Sequence, residues 1–194
     1  ATTQLKAWTD AGLGKLHVAV NIPPQQLHKG NLVQLLTQAL DDSGLAARQL
    51  EIELTETSLM DDPELAIGLF RQIRHMGVSI ALDDFGTGYS SLSHLRRFPL
   101  DIIKIDQAFI RDVGSQSEDG AIVRAIITMA HELGMKVVAE GVETQQHFRF
   151  LEQERCDIVQ GYLISRPVTA EAMEQLLREQ ALAERQQPSF LSGI

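Results

Sequence analysis

A parallel α/β fold is predicted by three features of this 194-residue chain. Short β-branched runs alternate about six times with runs of helical spacing, the pattern of parallel strands joined by crossover helices. The chain is 44% hydrophobic, enough to bury the core of one domain but not of a second of ordinary size. Neither a low-complexity linker nor a break in composition interrupts the alternation.

The elements follow in order. "TQLKAWTDAG" (3–12) reads as a helix already under way and lacks an initiator methionine, so the chain is expected to be a fragment of a longer protein. Strand-like runs are "KLHVAVN" (15–21), "LEIELTE" (50–56), "VSIALDD" (78–84), "DIIKID" (101–106), "KVVAEGVE" (136–143) and "CDIVQGYLIS" (156–165). Between them, "NLVQLLTQALDDSG" is a helix ending on Gly44. "DDPELAIGLFRQIRHMG" has Asp62 as N-cap, Pro63 in its first turn and Gly77 as its stop, and "EDGAIVRAIITMAHELG" closes on Gly134. The last residues, 181–194, are polar and broken by Pro188, and are expected to fray as a tail behind a domain of residues 1–180.

Composition removes several functions. A net charge of −9 argues against binding long nucleic acid, although a metal ion could lend the positive charge that a nucleotide ligand needs. A single cysteine, Cys156, excludes an internal disulfide, fits a reducing cytoplasmic compartment and reads as a small packing residue. The most apolar helical run, residues 121–134, contains Arg124 and His131 and is too short and too polar to span a bilayer. No signal peptide is visible.

Polar residues end nearly every strand. Asn21 closes the first run, Glu53 and Glu56 the second, and the adjacent Asp83 and Asp84 the third. Lys104 and Asp106 close the fourth, Glu140 and Glu143 the fifth, and Gln160 interrupts the sixth. Functional groups of parallel α/β proteins gather at the carboxyl ends of strands, so these residues are expected to converge on one face. Capping of the following helices could account for one or two of them, Thr55 and Glu143 being the best suited. It does not account for Glu53, inside a strand, or for Lys104, whose charge disfavours a helix N-terminus.

Several carboxylates with an amide oxygen form a hard-oxygen environment suited to Mg2+ or Mn2+, with Ca2+ as an inert mimic. Zinc would recruit histidine or cysteine, and no histidine falls at a strand end; His17 is placed inside the first strand. Asp83 and Asp84 repel each other unless cations intervene, and two consecutive carboxylates could grip two neighbouring ions. Two such ions suit cleavage of a phosphodiester, with Lys104 near the phosphate or holding the attacking water. "DFG" also occurs in protein kinases, but the other kinase motifs are missing.

Taken together, "VAVN", "LEIELTET", "ALDDFGTGYSSLSHLRRFPLDIIKID", "VVAEGVET" and "VQGYLISRP" resemble the EAL domain of bacterial cyclic di-GMP phosphodiesterases, from about residue 5 to about residue 180. The resemblance implies a modified TIM-type (β/α)8 barrel and metal-dependent opening of cyclic di-GMP to linear pGpG at a two-metal site. It further implies that Asn21, Glu53, Asp83, Asp84 and Glu140 are metal ligands, Asp83 bridging the two ions. Lys104 and Gln160 would contact substrate, with Glu140, Lys104 and Asp84 carrying catalysis and Ca2+ inhibiting it. Glu56 would position the loop that starts at Asp84, a loop tied in the family to dimerisation, while Asp106 and Glu143 would support the site. An upstream sensory or diguanylate cyclase-like domain, and a parent attached to a membrane, are compatible with the same resemblance.

Two departures stand out. The family's Glu-Ala-Leu motif, whose Glu is a metal ligand, lies on a first barrel strand that this sequence does not contain, so the barrel is expected to be incomplete at its N-terminus and the chain weak or inactive. A receptor that binds cyclic di-GMP without cutting it is the alternative. Pro23 stands where the family usually has serine, two residues after Asn21.

Overall fold

The computed structural model describes residues 1–60, 62–86, 95–114 and 117–186. Within them six parallel strands, β1 (Val18–Asn21), β2 (Leu50–Thr55), β3 (Ser79–Phe85), β4 (Ile102–Ile105), β5 (Lys136–Ala139) and β6 (Ile158–Val159), lie side by side in strict chain order. A doubly wound sheet reverses its order at a switch point, whereas a monotonic order is that of a barrel wall. The fold is accordingly that of a modified (β/α)8 barrel, as the family resemblance implies.

The helices are α1 (Thr2–Asp10), α2 (Pro24–His28), α3 (Leu32–Ser43), α4 (Glu56–Met60), α5 (Pro63–Met76), α6 (Gln107–Ile110), α7 (Glu118–Glu132), α8 (Gln145–Gln153) and α9 (Ala170–Gln186). Their ends obey the sequence signals. Asp62 accepts a hydrogen bond from Leu65 N at the start of α5, and Gly44 and Gly77 stop α3 and α5 in the left-handed conformation open to glycine.

Because side chains alternate along a strand and parallel partners in register face the same way, the pairing divides the sheet into two faces. Ile52, Leu54, Ile80, Leu82, Ile103, Ile105, Val137 and Ala139 share one face and join Phe70 and Ile73 of α5 and Val123, Ile127 and Ala130 of α7 in the main core. The alternate residues make the other face. There Ala81, Ile102 and Val138 form a small apolar layer of their own, and the polar strand-end residues follow on the same alternation.

A recurring clamp fixes the opposite end of the sheet. Asp101, just before β4, accepts from Ile80 N of β3 at 3.0 Å and pairs with Arg74 near the end of α5 at 3.0 Å. Asp157, just before β6, accepts from Val137 N of β5 at 2.9 Å and meets His131 in the last turn of α7 at 2.8 Å. Each clamp ties a strand to the preceding strand and helix.

Some expectations are corrected. The sixth strand is two residues long rather than ten, because Ile164 N and Ser165 N turn back onto Gly161 O instead of extending the ladder. The fifth stops at Ala139, before the Glu140–Glu143 turn. His17 precedes β1 and is exposed, so it is neither a strand nor a core residue. Thr144, rather than Glu143, caps α8, accepting from His147 N at 3.1 Å. Helix α9 runs through to Gln186, and the rest of the expected tail, 187–194, lies outside the described residues. Cys156 is partly buried against the core, as expected, and its thiol is pushed up to about 11 by burial.

Candidate active site

Four strands contribute charged groups to one point. Lys104 of β4 is 4% exposed and its ammonium reaches Glu53 of β2 at 2.7 Å, Asp83 of β3 at 3.0 Å and Glu140, just past β5, at 2.7 Å. An ammonium has three donors, and all three are engaged by carboxylates. The convergence read from the sequence is therefore present for these four residues.

Asp84 needs a different explanation. In a regular strand it would face away from Asp83, because consecutive side chains point to opposite faces. Here the pairing of β3 with β4 slips between Leu82 and Phe85, and Asp84 takes a left-handed conformation with φ +55°. Such a bulge re-aims a side chain, and Asp tolerates this backbone better than most residues. The amide of Asp84 donates to Asp83 Oδ1 at 3.1 Å. As a result, carboxylate oxygens of Asp83, Asp84 and Glu140 lie within 4.8 Å of one another, a grouping able to hold a metal ion.

The electrostatics point the same way. Burial, then Asp83, then a hydrogen bond with the Asp106 carboxyl raise the pKa of Asp84. Burial also raises that of Glu140 despite Lys104, with Asp83 and Glu53 adding to the effect. Lys104 loses by burial but is held protonated well above the usual lysine range by Glu140, Glu53 and Asp83. Four carboxylates against one ammonium leave three negative charges uncompensated in a half-buried site. A divalent cation with an all-oxygen shell fits that donor set, and among the described residues no grouping of histidine or cysteine competes with it.

The remaining predicted residues take varied places. Asn21 is in register with Glu53 and so faces the same side, but it is exposed on the edge strand β1. Gln160 and Glu143 share a cavity with Glu140. Glu56, buried at the start of α4, receives Gly86 N at a long 3.5 Å, which links it to the start of the loop it was expected to position; residues 87–94 of that loop lie outside the described residues. Asp106 caps α6, accepting from Ala108 N at 2.7 Å, and its carboxyl meets Asp84.

The sequence reading passed over three further positions. Glu51 alternates with Glu53 on the same face, and burial raises its pKa; the "LEIELTE" alternation was the available signal. Gly161 allows the chain after β6 to lie against the turn after β5, since a Cβ there would be 2.3 Å from Val142 N and O. Tyr162 follows it into the cavity wall.

The family model described as EAL domain matches residues 1–167. The chain belongs to the EAL domain family. Cyclic di-GMP phosphodiesterase NbdA of Pseudomonas aeruginosa is 48% identical over 178 residues, 92% of this chain and 23% of that protein. This chain thus spans about a quarter of the length of that relative. A solved PaMucR phosphodiesterase in complex with c-di-GMP superposes with a TM-score of 0.85 at 40% identity, covering 89% of this chain and 70% of the other. Klebsiella pneumoniae BlrP1, solved as a manganese/cy-diGMP complex, matches with a TM-score of 0.78 at 35% identity over 87% of this EAL domain and 43% of that chain. BlrP1 has also been solved as a calcium/cy-diGMP complex.

Proposed function

We propose that this EAL domain belongs to a hydrolase that opens cyclic di-GMP to linear pGpG. The observation that carries the reading is the approach of Asp83, Asp84 and Glu140 within 4.8 Å, beside a lysine that already bridges three strands. Hydrolysis joins a water oxygen to one phosphorus and breaks that phosphorus's bond to a ribose 3′-oxygen. The 3′-oxygen leaves as a hydroxyl carrying a proton, and the new terminus is a 5′-phosphate.

Asp83, Asp84, Glu140, Glu53 and Asn21 are the residues that would hold divalent cations, with Asp83 as the shared ligand. When bound, Mg2+ or Mn2+ supplies positive charge to the attacking and leaving oxygens. Lys104 presents its ammonium to the phosphate or to the attacking water once its carboxylates have other partners, while Glu140 and Asp84 are the carboxylates at hand for the water's proton. Gln160 binds substrate at the cavity wall. Glu56 ties the site to the loop that starts at Asp84, and Asp106 and Glu143 support Asp84 and the cavity rim. The same oxygen ligands would also hold Ca2+, as an inert mimic of Mg2+ or Mn2+ that inhibits turnover.

The wider assignments rest on the same family. The domain comprises residues 1–180, works as a homodimer and lies in the cytoplasm behind a sensory or diguanylate cyclase-like domain of its parent. Among the described residues no helix is long and apolar enough to cross a membrane.

The test is incubation of the chain with cyclic di-GMP and Mg2+, following pGpG by chromatography, with Glu140→Ala as control. Product is expected from the unaltered protein and none from Glu140→Ala. Binding of cyclic di-GMP without product would instead establish a receptor.

A further inference from the structure

One helical turn touches both arms of the candidate metal site. Helix α6 follows β4; its N-cap Asp106 accepts from Ala108 N at 2.7 Å, and its last residue, Ile110, is wholly buried in the main core. Pinned at both ends, the turn presents Gln107 and Phe109 to two glycines. A Cβ on Gly141, the residue after Glu140, would lie 2.5 Å from Gln107 Cβ. A Cβ on Gly86, two residues after Asp84, would lie 2.7 Å from Phe109 Cε2 and 3.0 Å from its Cζ. Both glycines also hold positive φ, +68° and +101°, which a side chain would resist. The close approach of α6 therefore depends on bare backbone at each.

The Gly86 contact matters because of what lies just before it. Asp84 holds φ +55°, a conformation that residues other than glycine keep only where their surroundings impose it. Relaxed to regular strand, it would turn its carboxylate away from the side of Asp83. Phe85 follows, buried in the core and in register with Ile105 of β4, the strand that leads into α6. Phe109 then fills the space that a side chain at Gly86 would take, so the chain leaving the bulge cannot move toward α6 without displacing the ring. The ring is itself partly buried against the main core, which gives it firm backing.

Resting on the metal-dependent reading above, we propose that Phe109 is a positioning residue for the metal site: its ring braces Gly86 and thereby keeps Asp84 turned toward Asp83 and Glu140. Phe109 is not itself a ligand. Its contribution reaches the ions through the course of the backbone at Asp84, and it sets metal affinity before any chemical step.

The experiment is calorimetric titration with Mn2+, read beside urea unfolding in chelator. Phe109→Ala is expected to weaken Mn2+ binding about tenfold, the lower end of what disturbing a ligand's support costs. Phe109→Leu keeps an apolar residue against the core but lacks the ring. It is expected to weaken Mn2+ binding nearly as much with less loss of stability, and it decides the outcome if the alanine variant does not fold. Ile110→Val, on the same turn, is expected to lower the unfolding midpoint and leave Mn2+ affinity unchanged. Gly86→Ala should weaken binding too. Combined with Phe109→Ala it should do so by less than the product of the two single losses, because removing the ring makes room for the methyl. Unaltered Mn2+ affinity in Phe109→Leu, an equal loss in Ile110→Val, or independent losses in the pair overturns the brace while leaving the functional reading intact. If the unaltered protein binds no Mn2+, the metal-dependent reading falls and takes the brace with it.

Discussion

The two faces of this sheet are built from the same six strands and differ by a shift of one residue along each. On the helix-facing side, Ile52, Ile80, Leu82, Ile103 and Val137 are wholly buried among apolar side chains. On the other side, Glu53, Asp83 and Glu140 surround Lys104. The first face gains free energy by leaving water. The second loses hydration and recovers it only through its internal pairings, which are incomplete without cations. Stability is concentrated on one alternation and chemistry on the other, so each can be perturbed nearly alone.

The largest expected effect comes from the charged face. Lys104→Met leaves the buried Glu53 and the half-buried Asp83 and Glu140 without their shared partner and should cost about 3–5 kcal/mol in urea unfolding with chelator present. Added Mn2+ should return part of that loss, because a cation that binds only the folded state stabilises it. A metal-independent loss would mean that the lysine serves packing rather than charge.

Ile103→Ala, one residue away on the apolar face, should cost about 2–5 kcal/mol through lost burial and a cavity. Here the loss should be the same with and without Mn2+. A metal-dependent loss would erase the separation of the two faces.

Titration sharpens the contrast further. The carboxyls of Asp84 and Glu140 have folded-state pKa values above their ordinary values. Groups raised in this way stabilise the metal-free fold at low pH, below their unfolded pKa, and that contribution is lost as pH rises through the folded values. Thermal melts should therefore show a Mn2+ increment that grows as pH climbs out of the ordinary carboxylate range. Asp157 runs in the opposite sense: burial opposes its charge, but bonds from His131 and Val137 hold its pKa low, so its contribution is lost as pH falls. A Mn2+ increment independent of pH would detach metal binding from these carboxyls.

The smallest effect is the most diagnostic of the bulge. Asp84→Gly places the residue that tolerates φ +55° there and removes a charge beside Asp83, so it should stabilise the metal-free fold by about 1 kcal/mol. Calorimetry should show weaker Mn2+ binding by the same variant. Stabilisation with unaltered metal affinity would remove Asp84 from the ligand set.

Much of this architecture was legible in advance. Helix stops at Gly44 and Gly77, the Asp62 cap and the strand positions all follow from residues within a few places of one another. The candidate site was legible as a list, because polar residues stand at or just past nearly every strand end. The ends themselves were less so. The sixth run reads as a long strand, and only the contact of Gly161 with the turn after β5 shows why it stops after two residues.

Thus the sequence by itself determined which side chains alternate, where helices begin and stop, and which carboxylates stand at strand ends, since these are properties of local backbone geometry. The tertiary structure alone decided that Asp84 turns to the same side as Asp83, that one lysine spends all three donors on three other strands, and that Tyr162 stands beside Glu140. Those outcomes depend on register between strands roughly 20 to 50 residues apart, and no spacing within a single strand encodes them.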